Sequence, residues 1–200
     1  TTPPSPRLRA LTAPSSLFDP AIERRTRAII EHVRSHGDAA VLELTERFDG
    51  AKLRADELPV STAELMSASL KADDRLRRAV ADAERNVAHF ARRSLRRGWS
   101  ARNSHGAKVG EKFDPFDRVG VYIPGGTAPL VSTALMTVTL ARVAGCREIV
   151  VCTPCGKDGA VNLALLFAAR AAGATQIFRV GGAQAIAAMA LGTTTIPRVQ

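Results

Sequence analysis

With 200 residues, 46% of them hydrophobic, the chain can bury a substantial core, which excludes a disordered segment and fits one large domain or two small ones. No apolar run approaches the ~18 residues of a membrane span and no basic-then-apolar signal segment opens the chain, so a cytoplasmic protein without a membrane partner is expected. The net charge of +9 does not by itself demand nucleic acid: residues 1–117 hold 21 Lys and Arg against 17 Asp and Glu, whereas residues 118–200 hold 7 against 2, a shortage of acids that attracts anionic ligands such as pyrophosphates equally well.

Residues 1–16 are rich in Pro, Ser and Thr without an apolar period and read as an irregular arm. Asp19 as a cap and Pro20 in the first turn open a helix whose Ile22, Ile29, Ile30 and Val33 share a face, and Gly37 ends it. Asp38 caps a second helix carrying Val41, Leu42, Leu44, Thr45 and Phe48, closed by an Asp49-Gly50 turn. Leu58 to Val60 is a short strand candidate, and Ser61 with Glu64 forms a capping box for a third helix. Asp73-Asp74 starts a fourth, expected to run from about Arg75 to Arg97 with Leu76, Val80, Ala83, Val87 and Phe90 on its buried stripe.

Arg92, Arg93, Arg96 and Arg97, with Trp99 close behind, form the patch that resembles a phosphate or nucleic-acid surface. Charged runs on helices usually face water, and on that reading Trp99 packs beneath a solvated face. Ser100 to Asp117 is expected to be a loop or edge hairpin. The domain boundary falls near Asp117, between a mainly helical region over 1–117 and an α/β region over 118–200.

Beyond Asp117, strands at 119–123, 147–153 and 176–180 alternate with helices at about 132–144, 160–172 and 183–191. Nearly continuous apolar strands such as Ile149, Val150 and Val151 imply a parallel sheet covered on both faces. Right-handed crossovers then put the loops PGGTAP, TPCGKDG and GGAQ along one sheet edge, where open α/β sheets bind ligands.

The first loop is not the G-x-G-x-x-G fingerprint, and no acidic residue ends the second strand to hold a ribose. After Pro124, the pair Gly125 and Gly126 either lets backbone approach a ligand or merely makes a tight turn, ahead of a helix amino terminus whose free N–H groups favour an anion. Tyr122 lies on the rim. The third loop repeats the arrangement with Gly181-Gly182, followed by Gln184, which offers a donor and an acceptor or simply faces solvent. Cys152 and Cys155 have redox spacing, yet Cys152 falls in a strand and no second Cys pair or nearby His completes a zinc set, so the pair reads as structural. Three cysteines in all suit a reducing compartment. His32, His36, His89 and His105 read as surface histidines, since the i,i+4 pair His32 and His36 lacks the Glu of a zinc motif.

GVYIPGGTAPLVSTALM followed by VGGAQAIAAMALGTTTIPRV closely resembles histidinol dehydrogenase, and VRSHGDAAVLELTERFDG and ERNVAHF resemble its amino-terminal helices. The resemblance covers about residues 20–199. It implies a zinc-dependent enzyme that oxidises L-histidinol through the aldehyde to L-histidine with two NAD⁺, as a homodimer of intertwined subunits with incomplete Rossmann-like domains. The fold class expected is therefore α/β, a helical amino-terminal region followed by an incomplete Rossmann-like parallel-sheet domain. The family's Tyr and Gln that contact NAD carry over to Tyr122 and Gln184, with Pro124, Gly125 and Gly126 in the same cofactor loop.

The family's zinc ligands and Glu-His acid/base pair lie further along than residue 200, so no catalytic and no metal-ligating residue is expected here. Gln200 stands where family members usually have Asp, and Ala91 and Ser94 stand where a His and a Gln are common. Related dehydrogenases of other polar alcohols share this scaffold, and a non-enzymatic nucleotide- or nucleic-acid-binding module using the Arg92 to Arg97 patch is the competing class. The chain reads as the amino-terminal part of a longer enzyme. It is expected to leave the third strand's far edge open and Ile186 and Met189 without full cover.

Overall fold

The computed structural model describes residues 19–125 and 129–200, so the expected arm at 1–16 lies outside the described residues. Helix α1 (Pro20–His36) starts as its sequence dictates, with the Asp19 carboxylate accepting from Ala21 N at 2.8 Å. Helix α2 (Asp38–Asp49) follows with Gly37 as its cap, so Asp38 is its first residue and not the expected capping residue. Gly37 has φ of 53°, which lets the two helices abut with one residue between them. The Asp38 side chain instead accepts from Thr195 Oγ1 at 2.7 Å.

After a single 3₁₀ turn (Ala55–Glu57) come α3 (Thr62–Lys71), opened by the Ser61–Glu64 capping box, and α4 (Asp74–Ser94), capped by Asp73. Helix α4 stops at Ser94, short of the expected Arg97, which leaves Arg96 and Arg97 beyond it. Its buried positions are Val80, Ala88 and Ala91, while Phe90 is 72% exposed. The small Ala88 and Ala91 face inward where α4 packs on α5 (Val131–Ala144), and the aromatic side chain stays at the exposed rim of that contact. Strands β1 (Trp99–Arg102) and β2 (Lys108–Glu111) form the expected hairpin. Trp99 is 53% exposed and donates from Nε1 to Glu111 Oε2 at 3.0 Å, so it does not pack beneath the arginines.

The sheet is parallel, in the order β3 (Arg118–Tyr122), β4 (Glu148–Thr153), β5 (Gln176–Arg179). Helix α6 (Leu163–Ala172) links β4 to β5, and α7 (Gly182–Leu191) follows β5. Register pairs Val121 with Val151 and Val151 with Ile177, and places Tyr122 beside Cys152 and Cys152 beside Phe178. Side chains alternate, so Val121, Ile149, Val151 and Ile177 face a core shared with α5, α6, Ala68 of α3 and Val80 of α4. Val150, Cys152 and Phe178 face the other way, toward α7 with Val33 of α1 and Val41 and Leu44 of α2. Both cores therefore draw residues from before and after position 117.

The strand candidate at Leu58 to Val60 is reduced to a single antiparallel bridge between Pro59 and Phe178. It still closes the outer edge of β5, because Val60 N donates to Ile177 O and Arg179 N to Leu58 O. Contrary to expectation, that edge is not open: Pro59 cannot donate, and the short stretch provides just these bonds. Met189 is likewise buried, at 3% exposure, whereas Ile186 is half exposed. Met189 settles over Gly120 of β3, where a Cβ would come within 2.8 Å of its sulfur and 3.0 Å of Val199. The weak strand former at Gly120 is thus the place where α7 and the chain's end lie down on the sheet.

Arg179, at the end of β5, is 8% exposed and holds three separate pieces together. Its guanidinium donates to Gly159 O at 2.8 Å, to Pro59 O at 3.3 Å and to both Glu64 carboxylate oxygens at 2.9 and 2.7 Å. Burial pushes the Glu64 carboxyl up, but its bonds to Arg179 and Ser61 outweigh this and hold it below the ordinary glutamate range. A carboxyl lowered on folding stabilises fully above its unfolded value, and the contribution disappears as pH falls through the folded one. The stability advantage of the wild type over Glu64→Gln, read by urea denaturation, should therefore be present at neutral pH and vanish on acidification below the ordinary glutamate range. Arg179→Met should cost about 2 kcal/mol at neutral pH, since the buried carbonyls lose their donor.

Candidate functional site

The carboxyl ends of β3, β4 and β5 open into a cavity of about 890 Å³, within the usual size of small-molecule sites. Tyr122, Pro124 and Gly125 line it from the first loop, Thr153 to Asp158 in part from the second, and Gly182 from the third. The alignment of these loops on one sheet edge follows from the parallel strand order that the apolar runs imply.

Tyr122, the last residue of β3, accepts a hydrogen bond at its hydroxyl from Gly182 N at 3.0 Å. It thereby supplies the amino end of α7, whose cap residue Gly181 has no side chain to do so. Gly125 passes so close to the second loop that a Cβ there would lie 2.4 Å from Pro154 Cγ, so loop packing already requires glycine at this position. Gly126 lies outside the described residues. Gln184 does not face solvent: it is 1% exposed, sits behind Gly182 and is absent from the cavity wall. Neither amide atom of Gln184 has a partner among the described residues, and its Oε1 lies 2.6 Å from where a Gly182 Cβ would stand.

Asp49 enters the same cavity from the end of α2. In the sequence it reads as a turn residue, and the docking of α2 against α7 brings it to the strand ends. Its carboxylate stacks on Gly181, with Oδ2 3.2 Å from a Cβ placed there, and Oδ2 is buried without a partner among the described residues. Burial raises the pKa of this carboxyl. One signal was present in the sequence, since an acid in the last position of a helix faces the negative end of its dipole and is not there for helix stability.

On the second loop, Asp158 Oδ1 accepts from Ala160 N and Asn162 caps α6. Cys152 is buried in β4, and burial pushes its thiol up to about 12. Cys155 lines the cavity, and its thiol is also raised, first by burial and then by the charge of Asp49. Neither thiol has the electropositive setting of a reactive cysteine. Among the described residues no three His, Cys, Asp or Glu side chains converge as a metal site would need. His32 is bonded to Glu43 at 2.8 Å between α1 and α2, and neither lines the cavity at the strand ends. The arginines from Arg92 to Arg97 are all exposed, with Arg96 lying over Phe113. No described helix is long and apolar enough to cross a membrane.

The fold and cavity together define a parallel-sheet α/β protein with a ligand crevice at its strand ends. The family model for histidinol dehydrogenase matches residues 14–200. Histidinol dehydrogenase of Symbiobacterium thermophilum is 47% identical over 182 residues, covering 91% of this chain and 42% of that protein. The enzyme of the same name from a Synechococcus strain is 44% identical over 177 residues, covering 88% of this chain and 41% of its own length. A crystal structure of histidinol dehydrogenase from Elizabethkingia anophelis superposes with a TM-score of 0.85 at 31% identity, covering 99% of this chain and 45% of that one. The chain belongs to the histidinol dehydrogenase family of oxidoreductases, and it spans about two fifths of the length of these curated relatives.

With thiols so placed, iodoacetamide at pH 7.5 should leave Cys152 unmodified in the folded protein while all three cysteines react after denaturation. Mass spectrometry of the native digest checks this, and rapid labelling of Cys152 would show the strand to be open.

Proposed function

We propose that this chain forms part of an NAD⁺-dependent, zinc-containing histidinol dehydrogenase that oxidises L-histidinol through L-histidinal to L-histidine, the last steps of histidine biosynthesis, as a cytoplasmic homodimer. Its share of that enzyme is the cofactor crevice. The observation that carries the reading is the cavity at the strand ends, rimmed by Tyr122 and backed by the buried, unpartnered amide of Gln184. Membrane and nucleic acid have no part in it.

Bound in this crevice, NAD⁺ supplies the hydride acceptor. Tyr122 and Gln184 orient the cofactor, with the backbone of Pro124 and Gly125 beside it. Helix α5 begins at the same loop without a side-chain cap, so its first-turn N–H groups suit a pyrophosphate. The described residues do not fit zinc: the cavity wall offers two separate carboxylates and one thiol raised by burial, not a convergent ligand set. No step of the reaction is routed through the metal here, and no described side chain is assigned as the general base.

In the full-length protein, Tyr122→Ala and Gln184→Ala should each weaken NAD⁺ binding about tenfold by calorimetric titration. Zinc content by metal analysis should be unchanged. Wild-type NAD⁺ affinity in both variants would remove the assignment. The 200 residues on their own should form no NADH with L-histidinol, and NADH formation by them would reveal catalytic groups within this stretch.

A further inference from the structure

We propose that Asp49 is the acceptor for a ribose hydroxyl of the dinucleotide, an assignment that deepens the NAD⁺ reading and rests on it. The residue reaches the crevice from outside the parallel sheet, carried by the carboxyl end of α2. Its Oδ2 is removed from solvent with no donor among the described residues, although a carboxylate oxygen in such a place ordinarily collects one or more N–H or O–H groups. An acid in the last turn of α2 also opposes that helix's own dipole. These features suit a group held ready for a ligand donor.

The surroundings choose the kind of donor. At the amino end of α7 the Gly182 N–H is already bonded to the Tyr122 hydroxyl, and the Asp49 carboxylate stacks on Gly181. A phosphate placed there would meet a carboxylate and find this N–H taken, so the α7 end of the crevice repels the pyrophosphate. It offers instead an acceptor carboxylate, a phenolic hydroxyl and, behind Gly182, the unpartnered amide of Gln184. That set matches a sugar diol. The start of α5, whose Leu130 lines the same cavity and offers no side-chain cap, remains for the phosphates.

The titratable groups that face Asp49 come from three elements. Tyr122 lines the same crevice from β3; Cys155, which feels the Asp49 charge, and Asp158 line it from the loop after β4; Arg179, at the end of β5, is committed to Glu64, Gly159 and Pro59. The Lys157 stem lies along Gly50, 3.3 Å from where its Cβ would be, and leaves Oδ2 without a donor. Burial raises the Asp49 carboxyl, so it takes up a proton at a higher pH than an exposed aspartate and then loses its use as a charged acceptor.

The test is calorimetric titration of the full-length protein with NAD⁺ between pH 5 and 8, together with thermal unfolding without ligand. Asp49→Asn should weaken NAD⁺ binding about tenfold at pH 7.5 while leaving the ligand-free melting temperature unchanged or higher. Wild-type affinity should fall toward that of the variant as pH drops through the raised value, whereas the variant's affinity should stay flat; the wild-type pH profile is an independent reading should the variant fold poorly. Unchanged affinity in Asp49→Asn with loss in Tyr122→Ala would overturn the inference and keep the NAD⁺ reading. Equal loss at every pH with a lowered melting temperature would overturn it in favour of a packing role. No NAD⁺ binding by the wild type would overturn both.

Discussion

The guanidinium of Arg179 is the point on which the arrangement depends. It stands at the carboxyl end of β5, almost out of solvent, and joins the capping box of α3, the backbone at Pro59 and the loop at Gly159. A charge in that place is tolerable only with its bonds made, because the desolvation of an unpaired guanidinium costs several kcal/mol. Glu64 answers it while also bonding the Ser61 N–H, so one carboxylate starts a helix and neutralises a sheet end. The loop that Arg179 fixes through Gly159 belongs to the wall of the cavity, and the same ion pair that closes the sheet edge thus shapes the site.

Among the described residues the parallel sheet has three strands, and each outer edge receives bonds from a non-strand segment. Leu58 to Val60 bonds to β5, and Gln200 N donates to Arg118 O along β3. The helices that precede the sheet in sequence share its two cores: α1 and α2 pack with α7 on one face, α3 and α4 with α5 and α6 on the other. Close approach on the first face depends on Gly120, since any side chain there would occupy the space of Met189 and Val199.

Electrostatically, the crevice is divided. Its α5 side has an open helix amino end, while its α7 side is faced by Tyr122 and Asp49. Two glycine loops that look alike in the sequence therefore differ in the side chains that face them. The difference arises from a residue that lies more than a hundred positions away in the chain, brought in by α2.

The sequence by itself determined whatever rests on local chemistry or on period. The Asp19, Ser61 and Asp73 caps are set by side chains that reach backbone N–H groups two or three residues on, and the apolar strands could only be buried on both faces. From these followed the parallel order, the common edge of the three loops and the positions of Tyr122 and Gly125 on the cavity. Tertiary structure decided the rest, because it depends on which groups meet. Phe90 is left at the exposed rim of the α4–α5 contact, since the small Ala88 and Ala91 take the buried positions. Gln184 became buried because α7 packs against α1 and α2 on that side, while Ile186 stays exposed on the other. Asp49 reads as a turn residue until α2 docks on α7, and no period or motif within its own stretch encodes a partner so remote in sequence.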